Sequence, residues 1–439
     1  MKKVWRLFWI SLPIKLLVGT FLPITSDESY YWVWSHHPQL NYFDHPAMVS
    51  WLFYAGHFLE NFEAAVRVPG ILLGHATLFV WIWILKDFLS LEEGKISDWL
   101  WLALFSPLFG LGALIITPDI PLLFFWSLSL LCFLRALQSP SWKSGLVFGV
   151  ALGLGLISKY MIVLMPLSLI LASVTHLGWW RRLRFEHYVF IFAGFFLGAA
   201  PFFLWNLQND WISLRFQWGH GLGAKHWKPS WTFEYVGLQL LLIFPPLVYL
   251  MVRGIKKAPS WLTATALTPL FFFFFTSFRG YAEANWPIAA YPAVYALVAL
   301  EGGEFWQKSA RWFWGGVTAL LLFLIFTGYS PFSEPIKTRE FYEFQSLYKV
   351  AAEKEPLFAR SYQMASRLSF AAKKEVYKLR GMNRRDAYDF WEGSLPPAHF
   401  FLILEENEEF PDNYSSQGYK VIDQKPIGGH FKILEVKRQ

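Results

Sequence analysis

The sequence predicts an all-α polytopic membrane bundle, of about 11 transmembrane helices plus interfacial helices, with a small C-terminal α/β extracytoplasmic domain. Three observations lead there. Of the 439 residues, 55% are hydrophobic and only 16% are charged, whereas a soluble globular domain carries about a quarter charged residues. Apolar runs of roughly 17–22 residues, the length that crosses a bilayer core, recur through the first three quarters of the chain. From Ser330 onward that pattern gives way to short, mixed helix and strand signals.

Taken in order, the spans read as 5–24, 64–86, 98–117, 119–137, 143–158, 160–178, 187–205, 231–252, 260–278, 285–301 and 312–329. The first opens on a basic head, as a signal peptide does. It lacks a small-x-small cleavage site and Lys15 interrupts it, so it reads as a retained span. Lys15 is expected to touch another helix or to snorkel. Between Ile24 and Glu63 no second span fits: "MVSWLFYAGHFL" is too short to cross, and the abundance of Trp, Tyr and His suits helices lying in the membrane interface. Two tight reversals, "IITPDIP" (Ile115–Pro121) and "LISKYM" (Leu156–Met161), split longer apolar stretches.

These breaks decide which loops share a side. With both accepted, Arg135 and Lys143, then Arg181, Arg182 and Arg184, then Arg253, Lys256 and Lys257, then Lys308 and Arg311 all fall on one side. The positive-inside rule makes it cytoplasmic, with the N-terminus there too. The segment after the first span, Thr117–Asp119, Ser158–Lys159, Asn206–Ser230, Phe278–Pro287 and the tail then lie outside. The domain division is 1–329, the transmembrane part, and 330–439, the extracytoplasmic part. In the tail, "REFYEFQSLYKVAAEK" and "SRLSFAAKKEVYKL" read as helices. "HFFLILEE", "YKVIDQ" and "HFKILEVK" read as strands, and "DNYSSQGY", with its Asn413-Tyr-Ser sequon, as a loop.

The net charge of +7 sits mostly in the short loops that set orientation, which argues against a nucleic-acid partner. The single cysteine, Cys132, excludes a disulfide within the chain. No GxxxxGK[ST] phosphate loop occurs.

The chemistry collects in the outer loops. Asp27 and Glu28 open a helix. "TSDE" from Thr25 fits a capping box, which would employ Glu28 in structure, but that box does not need Asp27. A carboxylate at the mouth of a bundle can take a proton from an acceptor hydroxyl, though complementing the helix dipole is the plainer role. Tyr31 stands with them as a substrate-binding residue. Asp44 and His45, fixed by Pro46, could hold a divalent metal; His36 and His37 read as ordinary interfacial residues. Asp119 could be a helix cap. Lys159 and Arg279 are cations at outer span ends, where a phosphate is the natural partner and headgroup anchoring the alternative. Arg67, Arg215, Lys225, His226 and Lys228 are weaker versions of that signal. Glu283 and Asn285, among aromatics, suit sugar hydroxyls or an interfacial belt.

"DESYYWVWSHHPQLNYFDHPAMVSWL" resembles the first external loop of the protein-mannosyltransferase-like family of GT-C membrane glycosyltransferases, which includes transferases of 4-amino-4-deoxyarabinose to lipid A. "VRVPG", "TPDIPLLFFW", "GLGLISKY", "NDWISLRFQWGHG", "NWPIAAYP", and in the tail "ARSYQMAS" and "DAYDFW", extend the resemblance over nearly the whole chain. It implies an inverting glycosyltransferase of the bacterial inner membrane. Its donor would be a sugar on a polyprenyl phosphate, taken up on the periplasmic side, and its acceptor a lipid A-type glycolipid or a protein hydroxyl. Asp27 matches the family's acidic catalytic residue. Asp44 falls where the aminoarabinose enzymes carry a metal-holding glutamate, and His45 replaces their lysine. Ser29, Tyr30 and Tyr31 stand where those enzymes place an arginine, so that sugar is not assigned. Two other readings stay open: a transporter or flippase for a lipid-linked sugar, and a scaffold whose tail is the working part.

Overall fold

A computed structural model describes residues 1–174, 183–222, 226–329, 340–428 and 430–439. Arg181, Arg182, Lys225, the end of the 160–178 span and the start of the tail at Ser330 lie outside the described residues. The chain divides into two compact units. One comprises Met1–Phe21 and Gln39–Leu322; the other comprises Leu22–Pro38 and Phe323–Gln439.

The first unit is helical. Each expected span falls on one helix or on a pair broken by a bend. Among the described residues, four helices are long and apolar enough to cross a membrane: Lys2–Phe21, Ala65–Asp87, Asp119–Gln138 and Glu304–Thr327. The number rises to seven if each bent pair counts as one span: Glu93–Phe105 with Pro107–Leu114, Phe185–Gly198 with Ala200–Gln208, and Pro229–Ile243 with Pro245–Ile255. Proline accounts for the breaks, since it supplies no backbone N–H to the preceding turn and starts a new helix well. Pro107, Pro201 and Pro245 each sit in the first positions of the second helix of a pair. Four shorter apolar helices complete the set: Trp142–Leu156, Tyr160–Ser173, Ser260–Thr276 and Trp286–Glu301.

Without a water-driven hydrophobic effect between spans, close packing and internal hydrogen bonds hold such helices together. Helix Trp142–Leu156 meets Phe185–Gly198 through glycines. A Cβ on Gly149 would lie 2.1 Å from the Ile191 carbonyl oxygen, and one on Gly194 would lie 2.2 Å from that of Leu146. Elsewhere buried aromatic groups find polar partners across helices. Trp81 Nε1 donates to Ser127 Oγ (2.8 Å), Trp99 Nε1 to the Pro292 carbonyl (2.9 Å) and the Tyr295 hydroxyl to Ser106 Oγ (2.7 Å).

Charged contacts link the loops assigned to one side. The N-terminal ammonium meets Glu93 at 2.5 Å, Arg311 meets Asp98 at 3.4 Å, and Arg253 and Lys257 converge on Glu301 at 2.7 and 2.6 Å. Arg135 meets Asp87 at 3.1 Å, and Lys95 donates to the Leu300 carbonyl. Elements assigned to the opposite side also meet one another, as described below.

The second unit holds a five-stranded sheet: β1 (Leu357–Ala359), β2 (Tyr377–Lys378), β3 (His399–Glu405), β4 (Tyr419–Ile427) and β5 (Phe431–Arg438), in the order β2-β1-β3-β5-β4. β1 runs parallel to β2 and β3, while β5 is antiparallel to β3 and β4. Phe400, Leu402 and Leu404 alternate along β3 into a core with Phe358, Leu434 and Val436. Each such side chain contributes about 1.5–3 kcal/mol of burial. The three expected strands are present. "SRLSFAAKKEVYKL" is a correction: its helix, Tyr362–Ala372, stops at Lys373 in the left-handed region (φ 51°), and Tyr377–Lys378 is a strand. "DNYSSQGY" contains one short helical turn, Asp412–Ser415.

In helix Ser26–His36, Glu28 through Ser35 are all buried in protein. Tyr and Trp, apolar bodies with one polar end, serve a protein core as well as an interface. Tyr30 packs on Tyr362 (centroids 4.5 Å) and stacks on Tyr388 (5.8 Å), and Trp32 meets Phe370 edge-on.

Candidate active site

In the first unit, the two reversals put their charges together. Asp119 is the first residue of its helix and caps nothing. Its Oδ1 accepts from Lys159 Nζ at 2.6 Å, and its Oδ2 accepts from Asn285 Nδ2 at 2.8 Å. Lys159 lies in the turn between Leu156 and Tyr160, so three segments far apart in sequence share one carboxylate. Both charged side chains are nearly covered, at 11% and 5% exposure. At that depth a charge is tolerated only when paired.

The loop carrying Asp44 and His45 docks beside this group. It is a tight reversal closed by a bridge between Asn41 and Pro46 and by Tyr42 N–H on the His45 carbonyl. Met48 N–H donates to the Ile157 carbonyl, which ties the loop to the Lys159 turn. Asp44 is buried, its carbonyl accepts from Gln217 Nε2 at 2.6 Å, and its charge acts on Tyr160. The Tyr160 hydroxyl and Asn41 Nδ2 both donate to Ser213 Oγ (3.2 Å each), which donates to Asn206 Oδ1 at 2.7 Å. Asn41, Tyr160, Asn206 and Ser213 thus form a hydroxyl and amide cluster that the sequence reading did not assemble. Among the described residues, Asp44 and His45 join no group of three His, Cys, Asp or Glu donors.

Arg279 follows helix Ser260–Thr276 and is exposed; among the described residues it forms no ion pair. Glu283 is also exposed. Arg67 is buried and donates from Nη1 to the Gly19 carbonyl at 2.7 Å, a helix-joining role. Lys228 lies over the Trp231 ring.

In the second unit, Thr25 caps helix Ser26–His36. Its hydroxyl accepts from Glu28 N–H at 3.2 Å, while Glu28 Oε2 accepts from Thr25 N–H at 3.1 Å. Glu28 is therefore employed in the capping box. Tyr31 is buried and packs edge-on against Trp34. Asp27, which the box leaves out, receives the Tyr362 hydroxyl on Oδ1 at 3.4 Å. Arg384 stacks over the Tyr362 ring at 4.6 Å. Glu340 accepts from Ser26 N–H at 2.9 Å.

The Asp27 carboxyl is pushed up from 3.8 to about 6. Loss of surrounding water is the chief cause and the Glu340 carboxylate the next. Arg384 and the Tyr362 hydroxyl pull downward, and Glu28 adds a smaller upward push. The Asp27 side chain reaches solvent. Tyr362, Arg384 and Glu340 escaped the sequence reading, although "ARSYQMAS" contains Tyr362. His37 stacks on Trp391 at 4.4 Å, and His36 Nδ1 lies 3.1 Å from the Trp32 carbonyl.

This architecture matches solved structures along nearly its whole length. ArnT from Cupriavidus metallidurans bound to undecaprenyl phosphate superposes with a TM-score of 0.68 at 14% identity, covering 98% of this chain and 97% of that one. The apo state of the same protein gives 0.66 at 15%. By fold, the chain is similar to ArnT. Residues 44–205, under half the length of the chain, match the family described as dolichyl-phosphate-mannose-protein mannosyltransferase. That stretch contains Asp44, His45, Asp119 and Lys159. Lipid A galacturonosyltransferase RgtD of Rhizobium johnstonii is 26% identical over 308 residues, covering 65% of this chain and 62% of that protein. The chain thus spans less than two thirds of that relative's length. Lipopolysaccharide core galacturonosyltransferase RgtA of the same organism is 43% identical over 67 residues, covering 15% of this chain and 13% of that protein.

Proposed function

We propose that this chain is an inverting glycosyltransferase that moves one sugar from a polyprenyl-phosphate carrier onto a lipid A-type acceptor in the bacterial inner membrane. Asp27 carries the reading: a helix-start carboxylate, free of the capping box and with a raised proton affinity, is suited to general-base work near neutral pH. The acceptor hydroxyl attacks the anomeric carbon, its proton passes to Asp27, and the carbon–oxygen bond to the polyprenyl phosphate breaks with inversion.

The leaving phosphate gains charge as that bond breaks, and cations stabilise it. Lys159 Nζ donates to Asp119 Oδ1. That contact uses one of its three hydrogens, so the others are available to a phosphate. Arg279 adds a planar fork of donors. Asp44, His45, Glu283 and Asn285 are assigned to the sugar and the acceptor. No step is routed through a divalent cation at Asp44 and His45. Eleven crossings, with the basic loops and N-terminus cytoplasmic and the catalytic loops and tail periplasmic, complete the arrangement; the ion pairs that link the basic loops support it.

Both curated relatives transfer galacturonic acid to lipopolysaccharide components, so a hexuronic acid is the sugar we favour. The family match, named for protein mannosylation, favours a protein hydroxyl as the rival acceptor. Mass spectrometry of envelope lipids and proteins, with and without the chain, decides between them. A lipid A species lacking one hexuronic acid in the deleted strain is the expected result. The same loss confined to a protein fraction would transfer the reading to the rival, and unchanged lipids and proteins would end it.

A further inference from the structure

We infer that the C-terminal domain is part of the catalytic apparatus: Tyr362, Arg384 and Glu340 are positioning residues that orient Asp27 and set the pH at which it works. The inference rests on the proposed base role of Asp27.

The placement comes first. Helix Ser26–His36 belongs to the same compact unit as residues 323–439, and it packs against helix Tyr362–Ala372. The tail therefore supplies the immediate surroundings of the carboxylate. The Tyr362 hydroxyl donates to Oδ1, which favours the ionised form and fixes one oxygen in direction. The Tyr362 ring is in turn held between Tyr30 at 4.5 Å and the Arg384 guanidinium at 4.6 Å. Glu340 is bonded to the first N–H of the helix that carries Asp27, so its charge cannot swing away without releasing that N–H.

A second network holds Arg384 in place. Lys378 is fully buried and pairs with Asp386 at 2.8 Å and Asp389 at 2.6 Å, and its ammonium also donates to the Arg384 carbonyl at 2.8 Å. Ala387 N–H donates to the Tyr30 hydroxyl at 2.8 Å. The "DAYDFW" segment thereby joins the loop bearing Arg384 to the helix bearing Asp27. Such a network does more than stabilise a domain, because it ends on the cation and the hydroxyl that face the reacting acid.

The charged and titratable groups facing Asp27 are Glu340 and Glu28, which raise its proton affinity, and Arg384 and Tyr362, which lower it. The inference therefore predicts shifts of opposite sign, which a purely structural role would not produce. The test is the pH profile of kcat/KM for sugar transfer by the full-length purified protein. Glu340→Gln should move the acidic limb to lower pH by about half a unit or more. Tyr362→Phe and Arg384→Met should move it to higher pH, and Arg384→Lys should restore the wild-type limb. Tyr362→Phe removes a single oxygen and keeps the ring packing, so it remains informative if Arg384→Met fails to fold. Three active variants with the wild-type limb would overturn the inference and leave the proposed reaction standing. A wild-type protein that transfers no sugar from any polyprenyl-phosphate donor would instead defeat the reaction itself.

Discussion

The Asp119–Lys159 pair yields a prediction whose size follows from its geometry. At 2.6 Å, the Coulomb attraction is about 6 kcal/mol at an effective dielectric of about 20. Desolvating both groups consumes much of that. The useful quantity is what one substitution leaves behind, a buried charge without its partner. Lys159→Met strands the Asp119 carboxylate with Asn285 as its remaining side-chain donor among the described residues, and Asp119→Asn strands the lysine. Each should cost about 3–5 kcal/mol. The double variant should lose less than the sum, with a coupling of roughly 1–3 kcal/mol. Thermal and denaturant unfolding of the purified protein in detergent, run as a double-mutant cycle, measures all four states. Single losses below about 1 kcal/mol, the range of exposed surface pairs, or strictly additive losses, would refute the view that these charges sit in a water-poor group.

Further outcomes follow from the same structure. Gly149→Ala should destabilise by about 1–3 kcal/mol through overpacking against the Ile191 carbonyl. Gly237→Ala, where an added Cβ meets nothing within 4 Å, should lower neither the unfolding temperature nor the yield. Arg279→Ala should raise KM for the lipid-linked donor about tenfold or more while leaving unfolding unchanged, because the side chain is exposed; an unchanged KM would remove it from the donor site. Wild-type transfer should fall as pH drops through about 6, since the base must be ionised, and level off above. Stability linked to Asp27 runs the other way: its contribution is full below 3.8 and is lost as pH rises through about 6. A profile flat down to pH 4 would indicate an acceptor that carries no proton to give, such as an ionised phosphate.

What was legible in the sequence was whatever depends on one-dimensional pattern. Apolar run length located the helices, and the polar reversals at Thr117–Asp119 and Ser158–Lys159 located the turns. The capping box at Thr25 and Glu28 was readable because its partners are three residues apart. Pairings across long separations were not. Asp119 read as a cap, but it is held by Lys159, 40 residues on, and by Asn285, 166 residues on. The grouping of Asp27 with the tail was hidden for the same reason: Tyr362 lies 335 residues away, and nothing local in "ARSYQMAS" says which carboxylate it faces. The burial of helix Ser26–His36 in protein was hidden because the amphipathic rings that favour a membrane interface also favour a buried protein surface.

The most direct test of the central claim is sugar transfer by Asp27→Asn, purified beside the wild-type protein and assayed with a polyprenyl-phosphate sugar and lipid A. The carboxamide keeps the shape of the side chain and cannot take a proton. The expected result is transfer at least about a hundredfold slower, with an unchanged unfolding temperature. Transfer at the wild-type rate would contradict the account.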